Sequence, residues 1–122
     1  MEKQLQLVTS EQAKRLKEAG FDWKTLVSYT YNGDLTDVGD VIHKNTLFHY
    51  VCAPSVALAL KWFRDVKGVR CCVSIDVPDE WIGEYYDDKR CEFTGSYEMY
   101  EAAESALLDE LLTSIEKAKT IK

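Results

Sequence analysis

Val69, Cys71, Val73, Ile75 and Val77 alternate with Arg70, Cys72, Ser74 and Asp76. That unbroken period of two predicts a strand with one apolar face. Pro78-Asp79-Glu80 turns the chain, and Trp81 to Asp87 returns as the hairpin partner. Arg90 to Thr94 adds a short strand that Gly95-Ser96 ends. Upstream, Val27, Tyr29 and Tyr31 alternate with Ser28 and Thr30, and Asn32-Gly33 gives a strong hairpin signal. Asp34 to Lys44 is polar and reads as irregular, and Thr46 to Cys52 reads as a further strand.

Three stretches carry helical spacing instead. The first is Ser10 to Ala19, with Thr9 and Gln12 set for a capping box, Val8 and Ala13 for a hydrophobic staple, and Gly20 at the stop. The second opens at Ala53-Pro54-Ser55 and runs to about Lys67, with Val56, Ala59, Trp62, Phe63 and Val66 on a broad apolar face. The third runs from about Tyr97 to Ala118. Tyr100, Ala103, Leu107, Leu111 and Ala118 stack on one face, and Leu108, Leu112 and Ile115 form a second apolar strip. The order α-β-β-α-β-β-(β)-α predicts an α+β fold, an antiparallel sheet of about four to five strands packed by three helices.

Length and composition add limits. The 122 residues amount to one domain, with 46% hydrophobic and 30% charged residues and only 2 Pro, a globular balance. No linker, repeat or low-complexity stretch divides residues 1–122. The net charge is -6 and uneven: residues 1–75 hold 10 basic and 8 acidic side chains, residues 76–122 hold 5 and 13. Such an acidic C-terminal third repels phosphate, so nucleic acid is not the expected partner. No run approaches the ~18 apolar residues that a membrane helix needs. Met1 to Gln6 has no apolar signal region, so a cytoplasmic protein with reduced cysteines is expected.

The chemical constellations are sparse. Cys52, Cys71, Cys72, Cys91, His43 and His49 lack any zinc-knuckle spacing. No metal or cofactor is expected, and no catalytic residue is assigned. Pro78-Asp79 with Asp87-Asp88-Lys89 has the lettering of a metal-dependent nuclease, yet eight strand residues separate the two parts by roughly 26 Å, too far to share an ion. Trp81, Tyr85 and Tyr86, followed by Tyr97 and Tyr100, suit either a ligand groove or the aromatic bulk of a small sheet.

Two blocks carry a resemblance. Ala53-Pro54-Ser55-Val56-Ala57-Leu58-Ala59-Leu60-Lys61-Trp62-Phe63-Arg64 and Tyr97-Glu98-Met99-Tyr100-Glu101-Ala102-Ala103-Glu104, the latter leading into Leu107-Leu108 and Leu111-Leu112, are amphipathic-helix patterns. Over about residues 53–119 the chain resembles small uncharacterised proteins encoded in phages and prophage regions of Bacteroidales-type gut bacteria. The resemblance implies a genomic setting and supplies no catalytic residues. The expected function is a non-enzymatic phage or mobile-element accessory protein acting through protein–protein contact. Its expected partner surface is Leu108, Leu112 and Ile115, a strip suited to a second copy of the chain. The alternative is a small enzyme or ligand-binding domain with a site at the aromatic hairpin, residues 81–100, built on Trp81, Tyr85 and Tyr86.

Overall fold

A computed structural model describes residues 6–23, 25, 27–30, 32–37, 50–75, 78–87 and 90–120. Among them the chain is α+β, with the order α1 (Ser10–Ala19), β1 (Val27–Thr30), β2 (Leu35–Asp37), β3 (Tyr50–Cys52), α2 (Val56–Asp65), β4 (Arg70–Ile75), β5 (Trp81–Asp87), β6 (Arg90–Tyr97) and α3 (Tyr100–Thr120). The strands form two three-stranded antiparallel sheets, β2-β1-β3 and β4-β5-β6, rather than a single sheet. The chain divides into two compact units, Met1–Ala59 and Leu60–Lys122, with the division inside α2.

In the first unit, α1 begins and ends where its local chemistry dictates. Thr9 Oγ1 accepts from the Gln12 amide at 3.1 Å, and Gln12 Oε1 accepts from the Thr9 amide at 3.0 Å. At the other end Gly20 takes φ 103, and the Phe21 amide donates back to the Leu16 carbonyl at 2.9 Å. Ala13, Leu16 and Ala19 are buried from this helix. The Asn32-Gly33 signal closes the β1–β2 hairpin, with Gly33 at φ 92 and its amide on the Thr30 carbonyl. β2 thus falls in a stretch that its polarity marks as irregular. Residues 46–49 of the expected third strand lie outside the described residues, as do His43 and His49. Ser55 caps α2, its Oγ accepting from the Leu58 amide at 3.0 Å. Pro54 therefore sits before the cap instead of in the first turn.

One polar group in this unit is badly placed. Ser28 Oγ is fully buried on β1 and has no hydrogen-bond partner among the described residues. An orphaned buried hydroxyl costs stability, whereas a methyl there costs nothing comparable. Ser28→Ala is expected to stabilise the chain by ~1 kcal/mol, read as a higher urea midpoint at unchanged slope.

In the second unit, β6 continues through Gly95-Ser96 to Tyr97 because a register shift between Ile82 and Glu84 absorbs one extra residue. Thr94 repairs the ladder there: its Oγ1 accepts from the Gly83 amide at 2.9 Å and donates to the Gly95 carbonyl at 2.8 Å. α3 lies on one face of this sheet, close against Gly83. Trp62, Phe63, Leu107, Leu108, Leu111 and Leu112 are the large side chains of the core here. Leu108 and Leu112 are 0% and 1% exposed within the single chain. The second strip of α3 is thus internal over its first two positions and offers a partner no surface there; Ile115 is half-buried. Val66, placed by spacing on the apolar face of α2, lies beyond the helix end and is exposed.

Candidate functional site

The β4-β5-β6 sheet presents two faces, and the register assigns side chains to each. Along β5, Trp81, Gly83 and Tyr85 point to the α3 side, and Ile82, Glu84 and Tyr86 point away from it. The expected groove residues therefore do not share one face.

Trp81 sits at the start of β5. It pairs with Ile75 on β4 and Tyr97 on β6, and its ring meets Tyr100 of α3 edge-on, centroids 5.2 Å apart. Tyr85 and Tyr86 stand at the other end of the strand. There they line a small open cleft with Phe63, Val69, Leu111, Ser114 and Ile115. Ile115, expected at a partner interface, instead joins two of the three expected groove residues. The cleft is mainly apolar, with Ser114 and the one tyrosine on the α3 side, Tyr85, as its polar side chains, a lining that favours an apolar over a charged molecule.

The outer face carries two of the thiols, Cys72 and Cys91. Cys72 on β4 lies opposite Glu84, and its Sγ donates to Glu84 Oε1 at 3.2 Å. Burial, and then the Glu84 carboxylate, push the Cys72 thiol up to about 11. Tyr86 lies opposite Cys91, and the contact between them raises the phenol above its ordinary value. All four cysteines are free thiols. Cys71 is buried beneath Arg64, with desolvation raising its thiol. Neither raised thiol resembles an activated nucleophile, which needs a lowered value. At mildly alkaline pH Cys72 holds roughly 100-fold less thiolate than an ordinary cysteine, partly offset by the greater nucleophilicity of a basic thiolate. Iodoacetamide is expected to alkylate Cys72 about tenfold more slowly than a model peptide thiol, measured by mass spectrometry of the Cys72 peptide. No group of three His, Cys, Asp or Glu among the described residues is placed to hold a metal ion. Asp79 and Asp87 flank opposite ends of β5, and Asp88-Lys89 lie outside the described residues.

A scan against protein-family models finds no match, and searches of curated proteins and of solved structures find no similar chain. The geometry of the sheet is therefore what bears on function.

Three exposed residues escape a reading by periodicity. Ile75 and Met99 are 65% and 61% exposed, near Trp81 and Tyr100, and Phe93 is 54% exposed on the outer face. Alternation marks Ile75 as core, because alternation does not show where the covering helix begins. Glu104, one turn after Tyr100, is buried instead. Burial first, and then the nearby Glu101 charge, raise its carboxyl above the usual range, against the Tyr100 hydroxyl that donates to it. A raised folded value stabilises the fold below the ordinary carboxyl range and loses that contribution as pH rises through the folded value. Glu104→Gln, which keeps an acceptor for Tyr100, is expected to leave stability unchanged at pH 3.5 and to raise it at pH 7. Urea titrations at the two pH values check this.

Proposed function

We propose that the chain is a non-enzymatic accessory protein that works by protein–protein contact, in the phage or mobile-element setting that its sequence resembles. The carrying observation is the exposure of Ile75, Met99 and Phe93 in the second unit. Large apolar side chains left in water around one small sheet favour contact with another surface. Among the described residues no helix is long and apolar enough to cross a membrane, so a bilayer is not offered as that surface by a helix. A photo-crosslinking residue at Phe93 or Met99, compared with one at the wet helix position Lys14, tests the reading in the native host. Discrete protein adducts from the apolar positions alone support it; equal labelling from Lys14 overturns it.

The cleft favours a second reading, a ligand-binding domain for a small apolar molecule. Ser114→Trp fills the cleft. A compound that raises the melting temperature of the wild type and not of Ser114→Trp supports this reading. Equal shifts in both proteins reject it.

A further inference from the structure

The end of the second sheet nearest the start of α3 gathers apolar and acidic side chains in one place. Ile75, Trp81 and Tyr97 lie side by side across three strands by register. Tyr100 packs its ring on Trp81, and Met99 precedes it in the chain. Ile75 and Met99 are mostly exposed, Tyr100 is 39% exposed, and Trp81 and Tyr97 are half-buried. The charged residues woven through this corner are acidic. Asp79 and Glu80 form the turn into Trp81, Glu98 separates Tyr97 from Met99, and Glu101 and Glu104 follow Tyr100. Residues 91–110 contain no Lys or Arg. The basic side chain whose charge reaches Tyr100 is Arg64, and its guanidinium is directed at the carbonyl and sulfur of Cys71.

We infer that this corner is a docking surface for a basic amphipathic segment of a partner protein, one in which Lys or Arg alternates with large apolar side chains. The inference rests on the protein-contact reading and adds the site and the chemistry of the partner. The apolar residues of such a segment cover Ile75 and Met99. Its cations meet Asp79, Glu98 and Glu101 at the rim and find the faces of Trp81 and Tyr100 within reach. A docked cation also relieves the repulsion between Glu101 and Glu104 described above. An acidic or neutral segment meets the same apolar side chains but adds like charge or leaves the carboxylates unpaired, so charge selects the partner.

The test uses the full chain as bait for a random twelve-residue peptide library, and the enriched peptides are resynthesised for binding measurements. The expected peptides carry net positive charge with interleaved apolar residues. They are expected to bind Glu98→Lys/Glu101→Lys about tenfold more weakly than the wild type and to weaken as salt is added. Both substituted positions are exposed, and circular dichroism confirms that the variant folds. The milder Glu98→Gln/Glu101→Gln replaces it if the reversal unfolds, with a smaller loss in the same direction. Enriched peptides that are neutral or acidic, peptides indifferent to the reversal, or no enrichment at all overturn the inference. Crosslinked protein at Phe93 together with any of those three results leaves the protein-contact reading standing while this corner fails.

Discussion

Leu112→Ala is expected to cost the chain about 2–5 kcal/mol of unfolding free energy, and Leu112→Glu to prevent folding. Leu112 is 1% exposed, so truncation leaves a cavity, and an ionised carboxylate there has no water. The reason lies in the width of the buried stripe of α3. At 100° per residue, the buried positions Ala103, Glu104, Leu107, Leu108, Leu111 and Leu112 span about 180° of the helix. The two apolar strips therefore merge into one internal face. Ile115, half-buried at the cleft, is expected to lose about 1 kcal/mol on truncation to Ala, well below the cost at a fully buried site. Urea unfolding of the three variants gives the ranking, and light scattering gives the mass. A Leu112→Glu chain that folds with wild-type stability but half the wild-type mass would restore the strip as an interface between copies.

Local rules made some elements legible and left others hidden. α1 is readable to the residue because its capping box, Thr9 and Gln12, and its stop, Gly20, are both local signals. The β4–β5 hairpin is readable because alternation over many residues leaves little choice of register. β2 has only three residues, too few for a period to show in a polar stretch. β6 passes through Gly95-Ser96 because its partner strand and Thr94 supply the missing hydrogen bond, which is tertiary information. The site follows the same division. Trp81, Tyr85 and Tyr86 cluster in sequence, but four strand residues carry Trp81 roughly 13 Å from Tyr85. Adjacent side chains leave the strand on opposite faces, so proximity along the chain does not place all three in one groove. Ile75 and Met99 become visible as a surface only once α3 is seen to begin at Tyr100.

Gly83→Ala is expected to destabilise the chain by about 1–3 kcal/mol, although alanine ordinarily strengthens a strand by reducing the freedom of the unfolded chain. The strand W-I-G-E-Y-Y carries a glycine at its centre, the sequence mark of a close backbone approach. A Cβ built on Gly83 meets Leu107 Cβ at 2.9 Å, Thr94 Cγ2 at 3.1 Å and the Ala103 carbonyl oxygen at 3.4 Å. Leu107 Cβ and the Ala103 carbonyl are fixed to α3, so the helix itself has to retreat, and Leu111 and Leu112 lose packing with it. Leu107→Ala offers no rescue, since alanine keeps the offending Cβ. Thr94→Ser does, because it removes Cγ2 and retains the Oγ1 that accepts from the Gly83 amide. In urea unfolding, the double variant Gly83→Ala/Thr94→Ser is expected to be more stable than the sum of the two single losses allows, a coupling of about 0.5–1 kcal/mol. Strict additivity of the two losses would mean that Thr94 does not crowd the added methyl, and a Gly83→Ala chain as stable as the wild type would mean that α3 does not press on β5 as closely as these distances state.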